Sequence, residues 1–129
     1  MGSEMCIRDS SHTELANLVR ESAVALVTPR WAEPFGLVAA EAAMWGTPVV
    51  ALDRGGLSEF LTSDLGVLVP ADGGDDELVQ GIADAVPVAE GLDRPAVHAA
   101  AREALGAHRM VDAYAALYRE LVLEQGDRR

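Results

Sequence analysis

Apolar positions along the chain follow two rhythms. "AVALVTP" at 23–29, "PVVAL" at 48–52 and "GVLVP" at 66–70 are short runs, nearly unbroken in apolar residues and rich in Val. Runs of that kind suit strands covered on both faces. Between and after them the apolar residues return at three- and four-residue spacing, the mark of helices. Ser11-His12-Thr13-Glu14 has the pattern of a capping box, in which the serine accepts from the first turn and the glutamate reaches back. A helix over about 12–21 is expected there, with Leu15, Leu18 and Val19 as its apolar stripe. A second helix runs from Phe35 or Gly36 to Trp45, with Gly46 stopping it in the left-handed cap conformation.

"LSEFLT" at 57–62 predicts a short helix and "ADGGDD" at 71–76 a turn leading into a helix over 77–86. Asp93 with Pro95 opens another helix, to about Ala107. "HRMVDAYAALYRELVLE" at 108–124 is the last and longest. Met110, Tyr114, Leu117 and Leu121 share one stripe, with Arg109, Asp112, Arg119 and Glu120 mostly off it. Strands alternating with helices predict an α/β fold with a parallel sheet and right-handed crossovers. Three strands make a short sheet, about half of a Rossmann-like domain.

The decapeptide "MGSEMCIRDS" fits nothing downstream and resembles translated adapter sequence, so residues 1–10 are expected to be a non-native tail. Residues 11–129 are then expected to be part of a larger domain, with more chain upstream.

Composition narrows the function. Of 129 residues, half are hydrophobic, which supports a packed core. The net charge is −11, and all ten basic residues are arginine. A nucleic-acid binder needs a basic face, so that class is excluded, as is electrostatic docking to anionic lipid. With Cys6 alone no disulfide can form within the chain, and His12, His98 and His108 are too scattered to suggest a metal site. No apolar run approaches the ~18 residues of a membrane span, and no signal peptide is evident. A cytoplasmic location is expected.

The chemistry concentrates in "AEPFGLVAAEAAMWGTPVV" at 32–50. Its helix is apolar around the whole axis, which predicts packing on most sides. Yet it carries Glu41, with Glu33 just before it. A buried carboxylate costs several kcal/mol unless it is hydrogen-bonded. Vicinal hydroxyls of a sugar or ribose would supply donors to this acceptor-only group. The helix mouth follows the carboxyl end of a strand, where ligands bind in parallel sheets. The amides of Phe35, Gly36, Leu37 and Val38 would face an anion there, and Gly36 admits close approach. A pyrophosphate at the mouth, flanked by a sugar and a ribose, would engage both acids. Plainer roles exist for the neighbours: Gly55-Gly56 as a tight turn, Trp31 and Trp45 as packing residues, and "DGGDD" at 72–76 as a helix cap.

"EPFGLVAAEAAMWGTPVVALDRGGLSEFL", from Glu33 to Leu61, resembles the nucleotide-sugar site of retaining GT-B glycosyltransferases of family 4. Two glutamates separated by seven residues, then G-T-P-V-V-A and G-G-x-x-E, carry the resemblance. It is close over 28–69 and looser across 11–124. It implies the fold: part of a Rossmann-like GT-B C-terminal domain, with a short parallel sheet, flanking helices and a long closing helix. It also implies roles. Glu33, the catalytic candidate, would contact hydroxyls of the donor sugar, and Glu41 the ribose. The amides of Phe35 to Val38, following Pro34, would meet sugar and pyrophosphate. Gly55, Gly56 and Glu59 match the last element, with Gly55 and Gly56 counted as donor-binding.

The implied donor is a UDP-, GDP- or ADP-sugar, with no cofactor or metal. The implied partner is an N-terminal GT-B domain holding the acceptor. This chain departs from the pattern at Ala43-Met44-Trp45 and lacks the aromatic before the last helix. It also lacks the upstream Arg and Lys that neutralise the leaving diphosphate, so the fragment is expected to bind donor without turnover. The closing helix is expected to leave apolar surface open. A non-catalytic nucleotide-sugar binding module and a non-hydrolysing epimerase of the same architecture are the alternatives.

Overall fold

The computed structural model describes residues 11–126; the expected tail at 1–10, with Cys6, lies outside them. The elements are α1 (His12–Glu21), β1 (Ala25–Val27), α2 (Leu37–Met44), β2 (Val49–Leu52), a 3₁₀ turn (Gly56–Glu59), β3 (Gly66–Val69), α3 (Asp75–Glu90), α4 (Arg94–Leu105) and α5 (Ala107–Gly126). The fold is α/β, as expected: three parallel strands in the order β1-β2-β3, with helices on both faces and a long C-terminal helix.

β2 explains why. All four of its residues are buried, and a strand sends alternate side chains to opposite faces. Val49 and Ala51 join Ala39, Ala43, Leu57, Val97 and Ala101 in a core under α2 and α4. Val50 and Leu52 pack with Val69, Ala85 and Ala89 under α3. Each buried Val or Leu contributes roughly 1.5–3 kcal/mol, so the centre of the sheet is clamped from both sides. β2 pairs Val49 with Ala25 of β1 and with Gly66 of β3.

β1 differs from expectation. It is an edge strand, and Leu26 is exposed rather than covered. α1 begins at its capping box as expected, but Leu15 and Leu18 face solvent and only Val19 packs against the core. What holds α1 is polar. The Arg94 guanidinium donates to the carbonyls of Arg20 and Ser22 and to Thr47 Oγ1, and Thr47 Oγ1 donates to the Val19 carbonyl.

α2 ends in the expected way. Gly46 takes φ 77°, its amide donates to the Ala43 carbonyl, and the Thr47 amide donates to the Ala42 carbonyl. α3 outlasts its expected end and passes through Pro87. The carbonyl that Pro87 leaves without a partner belongs to Ala83, which is exposed and so open to water. Ala85 and Ala89, on the packed side, keep the helix on the sheet. Among the described residues no helix is long and apolar enough to cross a membrane.

Candidate functional site

The loop that follows β1 and opens α2 builds the site. Glu33 forms a single parallel bridge with Gly55, and the Gly56 amide donates to the Glu33 carbonyl at 2.7 Å. This ties the loop beyond β1 to the loop beyond β2, at the carboxyl ends of both strands. Gly36 caps α2 with φ 90° and ψ 55° and offers no side-chain cap. A Cβ on Gly36 would lie 2.3 Å from Leu57 Cδ2, so both space and backbone angle demand glycine there.

The first intrahelical bond runs from the Ala40 amide to the Gly36 carbonyl. The helix thus starts later than expected, and its open first-turn amides are those of Leu37, Val38 and Ala39 rather than a set beginning at Phe35. Phe35 instead stacks on Phe60, with ring centroids 5.0 Å apart.

A groove of about 540 Å³ lies against this loop. Its lining includes the expected Glu33, Pro34, Phe35, Gly36, Leu37 and Val38, together with Leu26 to Pro29 and Trp31. Glu33 is half-buried, and its Oε2 accepts from the Trp31 indole Nε1–H at 3.0 Å. Three expected site residues stand apart from the lining, Glu41, Gly55 and Gly56, as does Glu59 of the matched G-G-x-x-E element. Gly55 and Gly56 act from beneath. A Cβ at Gly56 would fall 2.1 Å from the Pro34 carbonyl oxygen, so the pair serves as the seat on which the Glu33–Phe35 backbone rests.

Glu41 requires a correction. It is exposed, not lodged in apolar surroundings. α2 packs through Ala39, Ala40, Ala42 and Ala43, while Leu37 is 67% and Val38 66% exposed. One and the same side of the helix carries Leu37, Val38 and Glu41, three and four residues apart. That side meets the groove and solvent instead of another element, so no desolvation cost arises at Glu41. Trp31 is corrected likewise: it is 64% exposed and is not a packing residue. Its partnership with Glu33 was not anticipated, although the two lie only two positions apart in one loop.

On the opposite side of the β1 end, a second groove of about 480 Å³ runs under α3, lined in part by Arg30, Arg54 and Asp75. Among the described residues no cluster of three His, Cys, Asp or Glu side chains could hold a metal.

Comparison with known proteins places the chain in a family. Residues 5–95 match the family described as glycosyl transferases group 1. The chain belongs to this family. This group 1 glycosyltransferase chain is 40% identical over 115 residues to a D-inositol 3-phosphate glycosyltransferase of Paenarthrobacter aurescens, a match covering 84% of the chain and 27% of the relative. A protein of the same name from Kribbella flavida is 49% identical over 63 residues, 48% of this chain and 15% of that one. Among solved structures, AviGT4, a glycosyltransferase involved in avilamycin A biosynthesis, superposes with a TM-score of 0.66 at 26% identity. That match covers 88% of this chain and 35% of AviGT4. The group 1 chain therefore spans about a quarter or less of the curated relatives it matches.

Proposed function

We propose that the chain is the donor-binding part of a retaining glycosyltransferase of family 4 that takes a UDP-, GDP- or ADP-sugar. One observation carries the proposal: a half-buried carboxylate, Glu33, shares a groove with the N-terminal turn of α2 and with the close-approach glycine Gly36. The turn amides and helix dipole favour a diphosphate, and the carboxylate favours sugar hydroxyls. The ribose contact falls to Glu41. Burial does not support that role; the family spacing does, as does the helix side that Glu41 shares with Leu37 and Val38.

In the whole enzyme the bond from the anomeric carbon to the donor phosphate breaks. A bond to the acceptor oxygen forms on the same face, and the acceptor proton passes to the departing phosphate oxygen. Such a step requires cations on the leaving diphosphate. The chain has no lysine and a net charge of −11, and the groove carries no arginine. Donor binding without turnover is the expected behaviour of this fragment. The acceptor and its N-terminal domain belong to the remainder of the enzyme, which acts in the cytoplasm. No histidine lines the groove, which weighs against the epimerase reading.

Titration calorimetry of the chain with UDP-, GDP- and ADP-glucose tests the proposal. Saturable binding of one of them is expected, weakened at least tenfold by Glu33→Ala. Absence of binding by all three would overturn it.

A further inference from the structure

We infer that Trp31 is a positioning residue for Glu33, holding its carboxylate ready for the hydroxyls of the donor sugar. The inference rests on the donor-binding reading above. Glutamate has three rotatable side-chain bonds and is ordinarily mobile when it reaches toward solvent. Here Oε2 is fixed by the Trp31 indole N–H at 3.0 Å. A carboxylate can accept several hydrogen bonds, so Oε1 remains available on a side chain whose rotamer is already set.

The indole has no folding need for this bond. At 64% exposure its N–H could be satisfied by water. The bond instead spans two residues of one loop, both of which line the groove beside Gly36. The loop backbone is itself anchored by the Gly56 amide on the Glu33 carbonyl. Main chain and side chain of Glu33 are thus restrained separately, the first by the glycine pair and the second by Trp31. Ordering the carboxylate before the ligand arrives lowers the entropy lost on binding. A charge-assisted bond is the strong kind suited to that task.

The test compares the 129-residue chain with Trp31→Phe, which keeps an aromatic ring but loses the indole N–H together with the second ring, so the Glu33→Ala background below separates the bond from the bulk. Trp31→Phe is expected to weaken the nucleotide-sugar about tenfold, the scale of one hydrogen bond to a charged group. Affinity for the matching nucleoside diphosphate, which lacks the sugar, should be unchanged. In a Glu33→Ala background, Trp31→Phe should have no further effect. The Trp31 indole N–H resonance should also shift in Glu33→Ala without any ligand. Equal nucleotide-sugar affinity in the wild type and Trp31→Phe, or an indole resonance indifferent to Glu33→Ala, would overturn the inference. Failure of the wild-type chain to bind any nucleotide-sugar would instead remove the donor-binding reading beneath it.

Discussion

Gly55 touches the backbone of Glu33 so closely that a Cβ on it would fall 2.2 Å from the Glu33 carbonyl oxygen and 2.6 Å from its nitrogen. The glycine also holds φ 71°, outside the range that side-chain-bearing residues favour. The contact couples two loops that come from different strands. It sets the height of the Glu33 backbone over the sheet, and through it the start of α2. The glycine pair of the family pattern thus acts structurally, as the support of the loop that carries the acid.

Gly55→Ala is therefore expected to shift the Glu33 loop and to cost on the order of 1–3 kcal/mol in stability. Urea denaturation checks the cost. A chain as stable as the wild type would show that the loop can yield. Under the donor-binding proposal, nucleotide-sugar affinity should fall with stability, because the carboxylate and the helix mouth move together.

A second expectation concerns the joint between α1 and the core. Thr47 is fully buried, donates to the Val19 carbonyl at 2.7 Å and accepts from Arg94 at 2.8 Å. Thr47→Val keeps the shape and removes both bonds, leaving the Arg94 nitrogen and the Val19 carbonyl short of partners. The loss should be about 1–3 kcal/mol. Hydrogen exchange would then show faster opening of α1 than of β2, since Val19 is that helix's contact with the core. Uniform acceleration across both elements would mean that α1 does not open independently.

The strands were legible because each is a short apolar run with a hard stop, and the centre of a parallel sheet must be apolar on both faces. The caps of α1 and α2 were legible because Ser11, Glu14 and Gly46 act through backbone groups a fixed distance away. The exposure of Glu41 was not. A helix of alanines with Leu and Val at its start has no clear polar side, so composition could not tell that only Ala39, Ala40, Ala42 and Ala43 face the core. Leu26 misled in the same way, since an apolar run does not reveal that its strand lies at an edge. The role of Gly55 and Gly56 was hidden for a different reason: the residues they touch lie some twenty positions away.

The closing helix carries the largest expected liability. Met110, Tyr114, Leu117 and Leu121 are all between 45% and 57% exposed along α5, and Tyr114 and Tyr118 lie with ring centroids 6.3 Å apart on its surface. An open apolar stripe of this length promotes association. Sedimentation velocity should show the chain associating as its concentration rises. Leu117→Gln with Leu121→Gln should reduce that association while leaving the helical circular dichroism unchanged. Association unaffected by the pair would place the sticky surface elsewhere.

The last expectation follows from the cap of α1. The Glu14 carboxylate accepts from the Ser11 amide at 2.7 Å and from the Ser11 hydroxyl at 2.9 Å. The backbone bond first, and the hydroxyl second, hold the Glu14 carboxyl below its ordinary value of 4.5. Both bonds favour the ionised form in the folded chain, so the unfolded chain takes up the proton first as the pH falls. The stabilisation is fully present above the ordinary value and is lost as the pH drops through the lower, folded one. Glu14→Gln retains an oxygen that can accept and removes only the charge. The difference in urea midpoint between wild type and Glu14→Gln should be constant near about pH 7 and shrink as the pH falls below 4.5 and through the lower, folded value. A difference independent of pH would show that the cap works through shape alone.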